Sequence, residues 1–340
     1  MPFTIVRQSI IETDADAIVN TANPLPCIGD GTDRAVYEAA GTEELLAARS
    51  AIGPIAEGDA KATPAFRLPY KIIIHTVSPR WKDGTKGETA LLSSCYRTSM
   101  DLAAENGCRR IAFPLLASGS NGFPKDVALK TALDTIQDYL MTHELDVILA
   151  VFDKESFQLS ERVYSDVRSY IEEHEVIAAN EKEYRKHGRP SGFDLSLPFH
   201  HNRIEERECY EESACSVAAT PFEGVILPQR EDTFQIALLR MIDESGESDP
   251  AVYKRANVDR KLFAKIRKDE NYKPSRKTAI AFAVALKLPL SETQDLLGRA
   301  GYALSSSTRF DLIIRYCLDH RIYDIGEINS ILFEFDQELL

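Results

Sequence analysis

The sequence predicts an α/β three-layer domain followed by an all-α region, and three observations carry that expectation. Short β-branched runs alternate with longer helical patterns as far as about residue 175. The alternation then breaks into polar and charged segments, and beyond Thr233 only helical spacing recurs, punctuated by Pro250, Pro274 and Pro289. A length of 340 residues, set against a prior of about 150 per domain, also suits two units. The expected division is 1–175, a polar linker over 176–232, and a helical unit over 233–340.

Strands are expected at Phe3–Val6, Ala17–Asn20, Lys71–Val77, Arg110–Leu116 and Asp146–Phe152. Several are apolar on successive residues, as strands covered on both faces must be. Helices are expected near Asp33–Ala40, Glu88–Glu105, Lys125–Leu140 and Phe157–Glu172, and this alternation requires right-handed crossovers with helices on both sheet faces. The stretches NEKEYRKHGRPSG and RIEERECYEES are too polar and too interrupted by Gly and Pro to add to either core, so they read as linker.

Composition narrows the function classes. With 44% hydrophobic and 27% charged residues the chain is neither disordered nor collagen-like. A net charge of −13 argues against a general nucleic-acid coat, although residues 251–287 hold 11 basic against 3 acidic residues. The six cysteines form no C-x-x-C pair, which fits reduced thiols. Cys209 and Cys215 lie near His200 and His201 without any zinc spacing, so no metal and no cofactor are expected. MPFTIVRQSI lacks a basic segment followed by an apolar one, and no apolar run is long enough to span a bilayer, which predicts a soluble cytoplasmic protein without membrane contact.

Ligands of open α/β sheets bind outside the carboxyl ends of the strands, so the loops there carry the chemistry. One runs from Asn20 to Gly41, with Gly29 and Gly31 ahead of a helix opened by Asp33. Another runs from Ala117 to Pro124, with Gly119 and Gly122 ahead of the next helix. Glycine lets backbone approach a ligand, and helix N-termini favour anions, so the pair points to a phosphate-rich ligand such as a diphosphate.

In order and spacing, four segments resemble the macrodomain family. NTAN resembles its N-A-A-N, GDGTDRAVYEAAG its G-G-G-V-D-x-A-I-x-x-A-A-G, LPYKIIIHTVSPRW its L-P-x-K-x-V-I-H-T-V-G-P-x-W, and IAFPLLASGSNGFP its I-A-F-P-x-I-S-T-G-x-x-G-F-P. The resemblance covers about half the chain. It implies a three-layer α/β/α fold with a mixed sheet, a pocket for ADP-ribose or an ADP-ribosylated protein, and, in many members, hydrolysis of ADP-ribosyl esters.

By position, Ser118, Gly119, Ser120, Asn121, Gly122 and Phe123 would wrap the diphosphate, the Phe123 ring lying against the distal ribose. Gly29, Gly31 and Thr32 would cover the other side. Phe152 is placed to stack on adenine or to fill the core. Asn23 and Asp33 match the positions that orient ribose and the attacking water, with helix capping as the plainer role for Asp33.

Three departures bear on this reading. Ser9, beside Ile10, stands where an acidic residue usually reads the adenine amino group. Asp30 interrupts the glycines and could repel the ligand, face solvent or act as an added base. Ser120 and Asn121 replace larger residues. His75 and Cys27 read as packed rather than reactive.

In the helical unit, Asp259 caps a helix over Arg260–Lys268, with Val258 and Phe263 as a hydrophobic staple and a short turn at Asn257–Val258 before it. This outline resembles phage-repressor helix-turn-helix domains. It places Arg260, Lys261 and Lys265 at base edges, with Lys268, Lys273, Arg276 and Lys277 available for phosphates. Tyr253, where a small residue is usual, would push the helices apart, and an exposed Leu262, where a polar residue is usual, suits a protein contact, so nucleic-acid binding, partner docking and a purely structural module all stay open.

Overall fold

The computed structural model describes residues 2–151, 161–186 and 232–340. Six strands, β1 (Phe3–Val6), β2 (Ala17–Thr21), β3 (Ala60–Pro64), β4 (Ile72–Thr76), β5 (Arg110–Pro114) and β6 (Asp146–Ala150), form one sheet ordered β1-β6-β5-β2-β4-β3. All neighbours are parallel except β3 and β4, so the sheet is mixed. Helices α1 (Thr32–Ala40), α2 (Thr42–Ala51), α3 (Glu88–Glu105) and α4 (Lys125–Thr142) complete the layers.

Successive strand residues feed two cores. Val19, Ile74, Ile111 and Leu149 pack with Leu92, Tyr96 and Leu129 from α3 and α4. Ile18, Ile73, Ala112 and Ala150 pack with Val36, Tyr37 and Leu45 from α1 and α2. This two-sided burial explains the continuous apolar runs, each fully buried branched side chain contributing about 1.5–3 kcal/mol.

Two elements were not expected. Strand β3, AKATP, has a single fully buried side chain, Thr63, and ends in Pro64; it is an edge strand, which tolerates Pro and Lys. Helix α2 follows α1 directly because Gly41, at φ 103°, turns the chain between them.

Helix α5 (Glu161–Lys186) extends beyond the expected Glu172 into the segment read as linker. Its Val167 and Ile171 share a core with the C-terminal helices, and Tyr170 Oη donates to Asp319 at 3.3 Å. The C-terminal half consists of α6 (Phe234–Ser245), α7 (Asp249–Arg255), α8 (Arg260–Lys268), α9 (Arg276–Ala285), α10 (Leu290–Arg299), α11 (Arg309–Asp319) and α12 (Ile325–Glu334) around that core.

The halves join along β1, the open edge of the sheet. Asn257 Oδ1 accepts from Phe3 N at 2.9 Å, and Asn257 Nδ2 donates to Phe3 O at 2.8 Å, so one side chain pairs this edge as a neighbouring strand would. Arg7 pairs with Asp336 at 2.7 Å and lies over the Phe333 ring. Gln137 donates to Asp324 at 2.9 Å. No helix among the described residues is long and apolar enough to cross a membrane, and none of their His, Cys, Asp and Glu side chains form a metal-binding group.

Candidate functional site

The carboxyl ends of β1, β5 and β6 and the start of α1 enclose a cleft of about 350 Å³. Ser9 and Ile10 line one side, Gly31 and Thr32 another, and Ser118 with Ala150 and Val151 close the floor. Thus segments far apart in sequence meet where the loops predicted a ligand. Gly31 has φ 63° and ψ −126°, a conformation open only to glycine, and a Cβ there would meet no atom within 4 Å. It therefore leaves the first turn of α1 uncovered, with its unpaired N–H groups favouring an anion.

The second loop is held from behind. Ala117 takes φ 63°, a conformation rare for a residue with a Cβ and characteristic of functional turns. Ser118 Oγ donates to Leu115 O at 2.8 Å, Asn121 Nδ2 donates to Ser78 O at 3.2 Å, and Trp81 N donates to Asn121 O at 2.8 Å. Of this loop only Ser118 lines the cleft. Gly119, Ser120 and Gly122 are exposed, and Asn121 is half-buried. Phe123 departs from the expectation: its ring is buried, centred 4.9 Å from that of Trp81, because the apolar surface of α4 and the sheet takes it inward. Phe152 lies outside the described residues.

Asp33 is buried inside the protein rather than set free in the cleft. One oxygen accepts from Asn20 Nδ2 at 2.6 Å and the other from Gly29 N at 2.5 Å, while the cap position of α1 is Gly31. The capping alternative for Asp33 is thereby replaced by a bolt between β2 and the glycine loop. Burial raises the Asp33 pKa, against the lowering by those two hydrogen bonds and by the nearby Arg49 charge.

Asn20 Nδ2 also lies 3.2 Å from His75 Nδ1, and His75 Nε2 lies 2.9 Å from Thr63 Oγ1. Since Asn20 Nδ2 can only donate, His75 Nδ1 accepts and the proton resides on Nε2, making a neutral ring. Burial, and secondarily the Arg49 charge, pushes the His75 pKa down to about 3. The histidine is packed, as its strand position suggested.

Stability depends on pH through this ring. The unfolded ring, at about 6.5, takes up protons that the native ring refuses, so stability is full above pH 6.5 and falls toward pH 3. The expected slope from this group is about 1.4 kcal/mol per pH unit. Denaturant midpoints measured across this range should decline less steeply for His75→Gln than for the native protein. Parallel curves would contradict the assignment.

The residue that sequence reading missed is Arg49. Its side chain is almost wholly buried, donating to Gly53 O, to Asn23 O at 3.0 Å and to Pro24 O at 3.2 Å. Its one visible signal was the i,i+4 spacing from Leu45, which puts both on the buried face of α2. Asn23 is thereby fixed through its backbone. Its Nδ2 lies 3.3 Å from Cys27 O and 3.0 Å from where a Gly29 Cβ would be. Of the three roles left open for Asp30, the geometry selects solvent: the side chain is exposed and pairs with Arg34 at 2.9 Å. Cys27 is exposed rather than packed.

In the helical half, α8 spans Arg260–Lys268, with Asp259 accepting from Leu262 N at 2.8 Å as the expected cap. Arg260 and Lys261 line a second cleft, of about 470 Å³, against Arg109, His143 and Asp146 of the sheet-bearing half. Lys265 lies over the Tyr272 ring. Lys268 and Lys273 make no ion pair among the described residues. Arg276 is committed to buried Asp311, and Lys277 to Glu338 at 3.0 Å, so neither is free for phosphates. Leu262 is half-buried against the helical core rather than exposed. Tyr253 is accommodated beside Phe263, with ring centres 5.3 Å apart.

Residues 19–132 match the Macro domain family. A macro domain-containing protein of Mesorhizobium japonicum is 43% identical over 161 residues, 47% of this chain and 91% of its own length. An O-acetyl-ADP-ribose deacetylase of Cronobacter sakazakii is 38% identical over 164 residues, 47% of this chain and 91% of its own. Among solved structures, an Oceanobacillus iheyensis macrodomain with ADP is 31% identical, covering 45% of this chain and 85% of that one at a TM-score of 0.43.

Proposed function

This chain belongs to the macro domain family through its N-terminal half, and from that premise we propose that it binds ADP-ribose in the strand-end cleft and releases it from ester-linked carriers. The observation that carries the reading is the convergence of Ser9, Gly31, Thr32 and Ser118 on one cleft beside an open helix N-terminus. The names of the Cronobacter relatives, O-acetyl-ADP-ribose deacetylases, support an ester substrate.

The roles follow from the motif positions, with the cleft lining in support. Gly31 and Ser118 flank the diphosphate from opposite loops. Ser9 hydrogen-bonds the adenine amino group without the charge that a carboxylate would add, which weakens base selectivity. Asn23 offers a donor and an acceptor to the distal ribose; Arg49 holds it through its backbone carbonyl, and Asp33 fixes the neighbouring Gly29, both as positioning residues. Because Asp33 is buried and does not line the cleft, the base for an attacking water is supplied by a ligand phosphate rather than by Asp33 or solvent-facing Asp30.

A non-catalytic reader is the second reading, and the same observation about Asp33 favours it. Incubation with O-acetyl-ADP-ribose and with proteins ADP-ribosylated on Asp or Glu separates the two. Release is expected from the native protein and about 100-fold more slowly from Asn23→Ala, a loss typical of a misplaced substrate. Binding without release from any linkage would leave the reader.

The helical half serves as a docking unit for a partner, with DNA as the alternative. Protein docking is favoured because Arg276 and Lys277 are already paired within the chain. Gel-shift of the full chain on duplex DNA across a salt series tests this, and binding that falls steeply with salt would support DNA instead.

A further inference from the structure

We propose that the seam between the two halves forms a second binding site, for a phosphate-bearing small molecule held by Lys287 and Arg321. The seam encloses a cavity of about 560 Å³, within the size range of small-molecule sites. Phe3, Leu140, Met141 and Tyr323 supply apolar and aromatic wall, and the site shares no lining residue with the strand-end cleft.

Most charges around this cavity are already committed. Lys254 pairs with Glu144 at 3.7 Å and donates to Met141 O, and Arg255 pairs with Glu247. Asp138 takes Arg97, while Asp324 accepts from Gln137 and from Glu327 N. The side chains of Lys287 and Arg321 have no hydrogen bond or ion pair among the described residues. Asp324 meets no cation among the described residues, so the unneutralised charge facing the cavity is one carboxylate against the two cations Lys287 and Arg321, a net positive charge.

Backbone conformation gives an independent reason to assign these two residues a ligand. Helices α7, α9, α11 and α12 all close with the same paired backbone hydrogen bonds, and the residue that closes each is left-handed: Asn257 at φ 52°, Lys287 at 55°, Arg321 at 58° and Asp336 at 53°. Glycine is the unstrained choice at such a position, and Gly301 fills it after α10. A side chain kept there implies a use for it. Asn257 pairs the edge of β1, and Asp336 pairs with Arg7. Lys287 and Arg321 have no such use among the described residues, yet both face the one cavity. Attraction to helix C-termini explains a cation in a last turn, but not one at the strained position.

Calorimetric titration of ATP, with inorganic tripolyphosphate as the bare-charge probe, tests the proposal on the full chain. Excess ADP-ribose, and in parallel a Ser118→Trp variant, block the strand-end cleft. Saturable binding is expected under both conditions. Tighter binding of ATP assigns an organic phosphate, and equal binding assigns an inorganic one. In Lys287→Gly/Arg321→Gly the affinity should fall about 100-fold, roughly tenfold for each charge-assisted contact. The glycines relieve the left-handed strain, so the melting temperature should hold or rise. The absence of saturable binding at millimolar probe, an unchanged affinity in the glycine variant, or loss of binding in Ser118→Trp would each overturn the proposal.

Discussion

Asp33→Asn is expected to destabilise the protein by about 2–3 kcal/mol and to slow ADP-ribosyl release by about 100-fold. Both Asp33 oxygens accept hydrogen bonds, from Asn20 Nδ2 and from Gly29 N. An asparagine offers one acceptor and one NH2, so a donor faces a donor at one of the two contacts. That leaves a buried N–H unsatisfied and pushes the glycine loop away from β2. The rate loss should appear in kcat more than in KM, since Ser9 and Ser118 on the opposite elements stay in place while the displaced glycine loop no longer aligns the reacting end of the ligand. Denaturant unfolding and initial rates check both parts. Native stability and rate in the Asp33→Asn variant would show that the bolt is dispensable.

Arg49→Met should cost about 3 kcal/mol, among the larger effects of single substitutions. The guanidinium satisfies the Asn23, Pro24 and Gly53 carbonyls from a buried position. Methionine fills much of the volume but leaves the Asn23 and Gly53 carbonyls without their donor, Pro24 O keeping only the Ile55 N–H. It also removes the positive charge that holds the Asp33 pKa down, so that pKa should climb further. Backbone exchange at Ile55, whose N–H donates to Pro24 O, should accelerate as the loop loosens. Native exchange at Ile55 together with native stability would contradict the role given to Arg49.

The central strands β2, β4 and β5 were legible because each is buried on both faces, and double burial writes an unbroken apolar run. Strand β3 was not, since AKATP lies at an edge, where Lys61 and Pro64 are tolerated and little apolar surface is needed. Helix α8 was legible to its ends because Asp259 marks its start chemically as well as by pattern. In the site, glycine spacing located Gly31, whose conformation only glycine adopts. Side-chain direction was less accessible: Phe123 could face ligand or core, and the choice depends on Trp81, 42 positions away in the chain. Arg49 was hidden for the same reason, because its three acceptors belong to loops that only the fold brings together.

Calorimetric titration of the full chain with ADP-ribose tests most directly whether the strand-end cleft is a working ADP-ribose site. The expected result is saturable one-to-one binding that survives Asp30→Ala, whose side chain faces solvent, and is abolished by Ser118→Trp, which fills the cleft floor. Absence of binding at millimolar ADP-ribose, or binding indifferent to Ser118→Trp, would contradict it.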